Sequence, residues 1–142
     1  MALASIAVRT TNVTINNSSC EIRTDVGVKA RLLELSLIQV TGTASSYGFG
    51  RPAARGVTPA TSALFQRDDS ADPACLTSQN LTWGTSPTAP LVYHRRWNSA
   101  ATVGVGIVWT FPRGIIMPVS ASLTIFNITT TVALDVNASI DE

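Results

Sequence analysis

The side chains able to do acid–base, nucleophilic or metal chemistry are few in this sequence and scattered along it. His94 is the single histidine, set in "YHRRWN", Tyr93 to Asn98, among aromatic residues and arginines. Such a cluster suits a phosphate, a stacked base or a cation–π contact. On an alternating strand Tyr93, Arg95 and Trp97 share one face while His94, Arg96 and Asn98 share the other. An interface or packing role is therefore expected of Tyr93, Arg95 and Trp97. No nucleophile-elbow motif accompanies His94. Asp68, Asp69 and Asp72 in "RDDSAD" lack the spacing, glycine and closing glutamate of a calcium loop, and read as a solvated turn. Glu21, Glu34 and Glu142 form no glycosidase-like pair. Cys20 and Cys75 are too few for a disulfide framework or, with one histidine, for a zinc site, and read as free thiols. No catalytic residue, metal or cofactor is expected, and the chain does not read as an enzyme.

The elements that would hold these groups in place read as strands. "TVGVGIVWTFPRG", Thr102 to Gly114, alternates bulky Val103, Val105, Ile107, Trp109 and Phe111 with Gly104, Gly106, Val108 and Thr110. A dinucleotide fingerprint fails here: Trp109 stands where the third glycine belongs, and no helical pattern follows. The reading is a strand whose heavy face enters a core and whose bare face, at Gly104 and Gly106, receives a close neighbour from this chain or another. "LVYHRRWN" reads as the preceding strand, "PRG" as a turn, "SASLTIFNITT" as a third strand and "VALDVNASIDE" as a fourth. In the last, Val132, Leu134, Val136, Ala138 and Ile140 alternate with small or polar residues, giving one wet face. Trp109, Phe111, Leu123, Ile125, Val132, Leu134 and Val136 are the expected core.

Upstream, Asp25 to Ser45 favours a strand through its β-branched residues. "SSYGFGRP" reads as a tight turn. Residues 51–92 hold five of the seven prolines and read as a long, irregular, contact-making region with a short strand near Ser62 to Gln66. Residues 1–24 read as an extended arm whose alternating Ile6, Val8, Val13 and Ile15 suit pairing with an edge strand. Strands recurring every dozen or so residues predict an all-β sandwich of the jelly-roll kind over residues 25–142.

Bulk composition narrows the function. Residues are 45% hydrophobic and only 13% charged, with one lysine, nine arginines and a net charge of +1. Nothing in that balance favours nucleic acid or an anionic membrane. So little charge makes a lone monomer a poor colloid and favours burial against partners. No run is long and apolar enough for a transmembrane helix, and the N-terminus does not read as a signal peptide.

The segments "GFGRPAARGVTP", "DPAC", "WGTSPTAP", "RRW", "VGVGIVWTFPRGIIMPVSASLTIFN" and "VNASIDE" together resemble small virion proteins of tailed bacteriophages and prophages, over about residues 25–142. The resemblance carries no site residues. It implies a non-enzymatic capsid decoration or cement protein on the virion surface, made in the host bacterial cytoplasm. Its implied partners are the major capsid protein and other copies of itself, with a trimer preferred. The alternative is a head-fibre or tail-associated jelly roll that binds host glycan through a cluster around Trp83 and Trp97.

Overall fold

The computed structural model of the chain describes residues 2–11 and 14–142. Its elements are β1 (Leu3–Arg9), β2 (Ser18–Arg23), β3 (Ala30–Gln39), β4 (Ser46–Gly50), β5 (Val57–Leu64), β6 (Gln66–Arg67), β7 (Ser78–Thr85), β8 (Arg95–Asn98), β9 (Gly106–Met117), β10 (Ser122–Asn127) and β11 (Leu134–Asp141). A five-stranded sheet runs β6-β1-β11-β3-β9 and a six-stranded sheet runs β5-β7-β2-β10-β4-β8. The protein is an all-β sandwich.

Setting β5–β7 aside, the other strands pair as one long hairpin folded on itself: β1 with β11, β2 with β10, β3 with β9 and β4 with β8. Further pairs, β11 with β3 and β10 with β4, close this hairpin into two sheets. That nested order is the wrapping of a jelly roll. The remaining strands are an insertion between β4 and β8. In it β7 and β5 extend the six-stranded sheet beyond β2, the chain turns inward at buried Phe65, and β6 pairs with β1 in the other sheet. The insertion thus spans both sheets along one side of the sandwich.

The core lies between the sheets. β11 alternates as its sequence dictates, with Leu134, Val136, Ala138 and Ile140 buried and the residues between them half-buried. Leu32, Leu35 and Leu37 of β3 meet Tyr47 and Phe49 of β4 across the core. Trp109 and Phe111 each stand 6.0 Å from Phe49, ring centre to ring centre. All of the expected core residues, Val132, Leu123 and Ile125 among them, lie in this cluster.

Several expectations change. The segments Leu3–Arg9 and Ser18–Arg23 do not belong to a separate arm: as β1 and β2 they are the first two strands of the roll, and Ile6 and Val8 satisfy their alternation against β11 of the same chain. "SSYGFGRP" is not a tight turn but includes β4, with Tyr47 and Phe49 fully buried. Residues 51–92 hold three strands, and only their connecting stretches are irregular. "PRG" does not reverse the chain. Leu32 pairs with Ile115 and Glu34 with Thr110, so Leu33 alone faces the stretch from Phe111 to Gly114. The surplus bulges out of an edge strand, where Pro112 interrupts no ladder and Gly114 takes φ +65°.

Two substitutions test the packing. Leu37→Ala is expected to lower unfolding free energy by about 2–5 kcal/mol in urea titrations. Gly106→Ala should also destabilise, because its Cβ would sit 2.7 Å from the Leu37 carbonyl oxygen. Gly42→Ala, with nothing within 4 Å of the new carbon, should stay within about 0.5 kcal/mol.

Candidate functional site

The residues singled out by sequence do not form one site. Ile6 and Val8 are half-buried and packed on the core, and Ile15 is exposed in the turn before β2. Val13 lies outside the described residues. The expected shared face of Tyr93, Arg95 and Trp97 is split in two. Trp97 stacks on Tyr47 at 5.4 Å toward the core, and the exposed Arg95 lays its guanidinium 5.8 Å from the centre of the Phe111 ring. Tyr93 precedes β8 and covers the outer face, over Gly48 and 6.0 Å from Phe126. Arg96 joins Tyr93 there at 5.9 Å. His94 sits beside Phe49, and burial, then the charges of Arg51 and Arg95, lower its pKa.

Gly104 and Gly106 answer to different demands. Gly104 is a turn residue with φ +81° and open surroundings. Gly106 begins β9, and its close neighbour is the backbone of β3. The bare strand face expected there occurs instead on β4. A Cβ on Gly48 would lie 2.6 Å from the Tyr93 ring, and one on Gly50 would lie 3.3 Å from the Tyr93 backbone.

Tyr93 belongs to a cover that sequence reasoning missed. The links from β4 to β5 and from β7 to β8 run over the outer face of the six-stranded sheet. They are tied together by Ala53 and Ala54 bonding to Thr88. Arg51 donates to the Ile116 carbonyl at 2.6 Å and Arg55 donates to the Ser120 carbonyl. β10 is consequently buried on both faces. Beneath the cover lies the fully buried carboxylate of Glu21. It accepts the Trp83 indole N–H at 2.8 Å and the Gly56 amide at 3.4 Å, with Arg23 3.9 Å away. Arg23 in turn donates to the Gly56 carbonyl at 2.9 Å. A buried charge persists only when paired and hydrogen-bonded in this way. Two register slips between β5 and β7 accompany the placement of Trp83 over Glu21. Strand alternation read from sequence has no access to such slips.

A second polar cluster ties the chain ends together. Glu142 accepts the Leu76 amide at 3.0 Å, the Thr77 amide at 2.7 Å, the Cys75 thiol at 3.0 Å and Arg67 at 3.0 Å. Arg67 also donates to the Ala2 carbonyl at 2.9 Å. Burial pushes the Cys75 thiol up to about 11 and the fully enclosed Cys20 thiol up to about 12. Both cysteines are free. Among the described residues no three His, Cys, Asp or Glu side chains gather as a metal site would require.

Apolar, cationic and acidic side chains remain outward at separate places. Of the exposed large hydrophobics, Leu3, Val26, Leu64, Leu76, Ile116 and Val119 lie at the end where β1 begins and β5, β9 and β11 finish, while Ile15, Val57, Leu91, Val92, Val103 and Val108 lie elsewhere. The β2–β3 and β9–β10 turns meet there through Thr24 bonding to Ala121 and Pro118. The chain matches no protein-family profile, no curated protein and no solved structure.

Two measurements probe these clusters. Gly56→Ala would press a methyl group into the Trp83 ring, so the tryptophan emission of the folded protein should shift to the red. Burial alone would raise the Glu142 carboxyl, but its hydrogen bonds from Cys75, Thr77 and Leu76 outweigh this and hold it below the ordinary 4.5. A carboxyl depressed in the folded state contributes stability above its unfolded pKa, and that contribution is lost as pH falls through the folded value. The melting temperature should therefore drop on acidification below pH 4.5, and Glu142→Gln should lower it at pH 7 while flattening that drop.

Proposed function

We propose that the protein is a non-enzymatic structural component of a tailed-phage particle. It sits on the outside of the capsid shell, with the major capsid protein as its partner, and strengthens or decorates that shell by surface contact. The observation that carries this reading is the apolar end formed by Leu3, Val26, Leu64, Leu76, Ile116 and Val119. Scattered exposed aliphatics are ordinary, but a group gathered at one end marks a contact surface. The sequence resemblance to phage virion proteins supplies the particle, and the low charge density of the chain fits a surface covered in assembly.

A glycan-binding role has less support. It needs tryptophan rings open to a sugar, whereas Trp83 is engaged by Glu21 and Gly56, and Trp97 is stacked on Tyr47.

The test uses heads purified from the phage that encodes the chain. Mass spectrometry should find the chain in them, and heads stripped of it should bind the purified protein again. Val26→Asp with Val119→Asp should weaken rebinding about tenfold or more while leaving the melting temperature within a few degrees, since both side chains are already in water. Heads that lack the chain, or tails that hold it instead, refute the reading.

A further inference from the structure

We infer that copies of this chain associate head to tail, the arginine-lined side of one copy, at β8 and β9, docking on the acidic side of the next, at β6. The inference does not rest on the capsid reading, because it concerns the purified chain alone.

β8 ends one sheet and β9 ends the other, and both lie on the same side of the sandwich. Arg95 reaches from β8 over Phe111 of β9, and Arg51 bonds to the β9 carbonyl of Ile116. Arg96 flanks them on Tyr93, and Arg113 projects from the β9 bulge. All four arginines are exposed. The ion pairs formed among the described residues engage Arg9, Arg23 and Arg67, leaving these four without a carboxylate within 4.0 Å. Arginines held over aromatic rings are pre-organised and weakly hydrated, which suits them to an interface.

β6 ends the first sheet at the opposite side, and the turn after it carries Asp68, Asp69 and Asp72. Arg67 is already neutralised there by Glu142. Asp68 accepts the Ser5 hydroxyl at 3.2 Å and forms no ion pair among the described residues. Net charge is only +1, so the asymmetry lies in where the charges sit. Like sides of two copies repel and unlike sides attract, which disfavours a two-fold contact and favours a heterologous one. Such a contact closes into a ring or continues as an open array according to the rotation it imposes.

The backbone of the acidic side is also open. β1 bonds to β11 through alternate residues, as the Ala2–Glu142 and Thr10–Leu134 bonds at either end show. The amide and carbonyl of Ser5 therefore face β6, and those of Ala7 and Arg9 face the edge beyond it, where no strand among the described residues pairs with them. A groove of about 500 Å³ runs beside them, between Ala7 and Val8 on one wall and Ala63 and Leu64 on the other. An unpaired sheet edge accepts the edge of a neighbour.

Sedimentation velocity of the purified chain tests this. In about 20 mM salt the wild type should associate beyond a monomer at about 100 µM, and raising salt to about 500 mM should weaken association about tenfold or more. Arg95→Glu with Arg96→Glu should be monomeric, as should Asp68→Arg with Asp69→Arg, each melting cooperatively. An equimolar mixture of the two variants should associate again, since each retains the side the other needs. A wild type that stays monomeric at low salt overturns the inference. So does association indifferent to salt and to both charge reversals, or a mixture of folded variants that fails to recover it.

Discussion

The pairing of the first strand of the roll with the last, β1 with β11, sets the geometry from which the rest follows. With Ile6 and Val8 lying against Ala138 and Val136, the pairs β2–β10, β3–β9 and β4–β8 nest one inside the other. The order costs much chain entropy, since every pairing joins residues far apart in sequence. It is stabilised by core contacts that none of the strands makes alone. Arg67 and Glu142 reinforce the outermost pair by tying Ala2 and Leu76 to the same carboxylate-bearing end.

The second constraint is that the six-stranded sheet must be covered on its outer side. Both faces of β10 and most of β2 are buried, yet the outer face carries Glu21, Thr124 and Asn80. On this covered face the Trp83 indole and the Gly56 amide satisfy Glu21, whereas Thr124 Oγ1 and Asn80 Oδ1 are buried without a partner among the described residues. The cover is built from Gly, Ala, Pro and Arg for geometric reasons. Gly48, Gly50 and Gly56 let it approach, and Arg51 and Arg55 fasten it to carbonyls of the β9–β10 region.

The surface follows from the same economy. Arg9, Arg23 and Arg67 are consumed in internal ion pairs with Asp135, Glu21 and Glu142, while the arginines beside β8 and β9 and the aspartates Asp68 and Asp69 after β6 are left to solvent. Apolar side chains are excluded from the interior at the end where the β2–β3 and β9–β10 turns meet, because that end lies beyond the strands that form the core. A body of this kind offers contact area of three sorts, apolar, cationic and anionic, at separate places.

Fold class and much of the core are legible in the residues alone. Alternation over Leu134 to Ile140, and the heavy face of Ile107, Trp109 and Phe111, encode which side of a strand turns inward, because side-chain direction repeats every two residues. The local pattern also made Gly104 and Gly106 conspicuous, without distinguishing a turn from a close approach. Only the tertiary structure decided that residues 3–9 pair within the chain, that "YGFG" is a covered strand, that "PRG" is a bulge, and that Glu21 meets Trp83. Each of these depends on register or on a segment arriving from far along the chain, and neither is written in the residues that receive it.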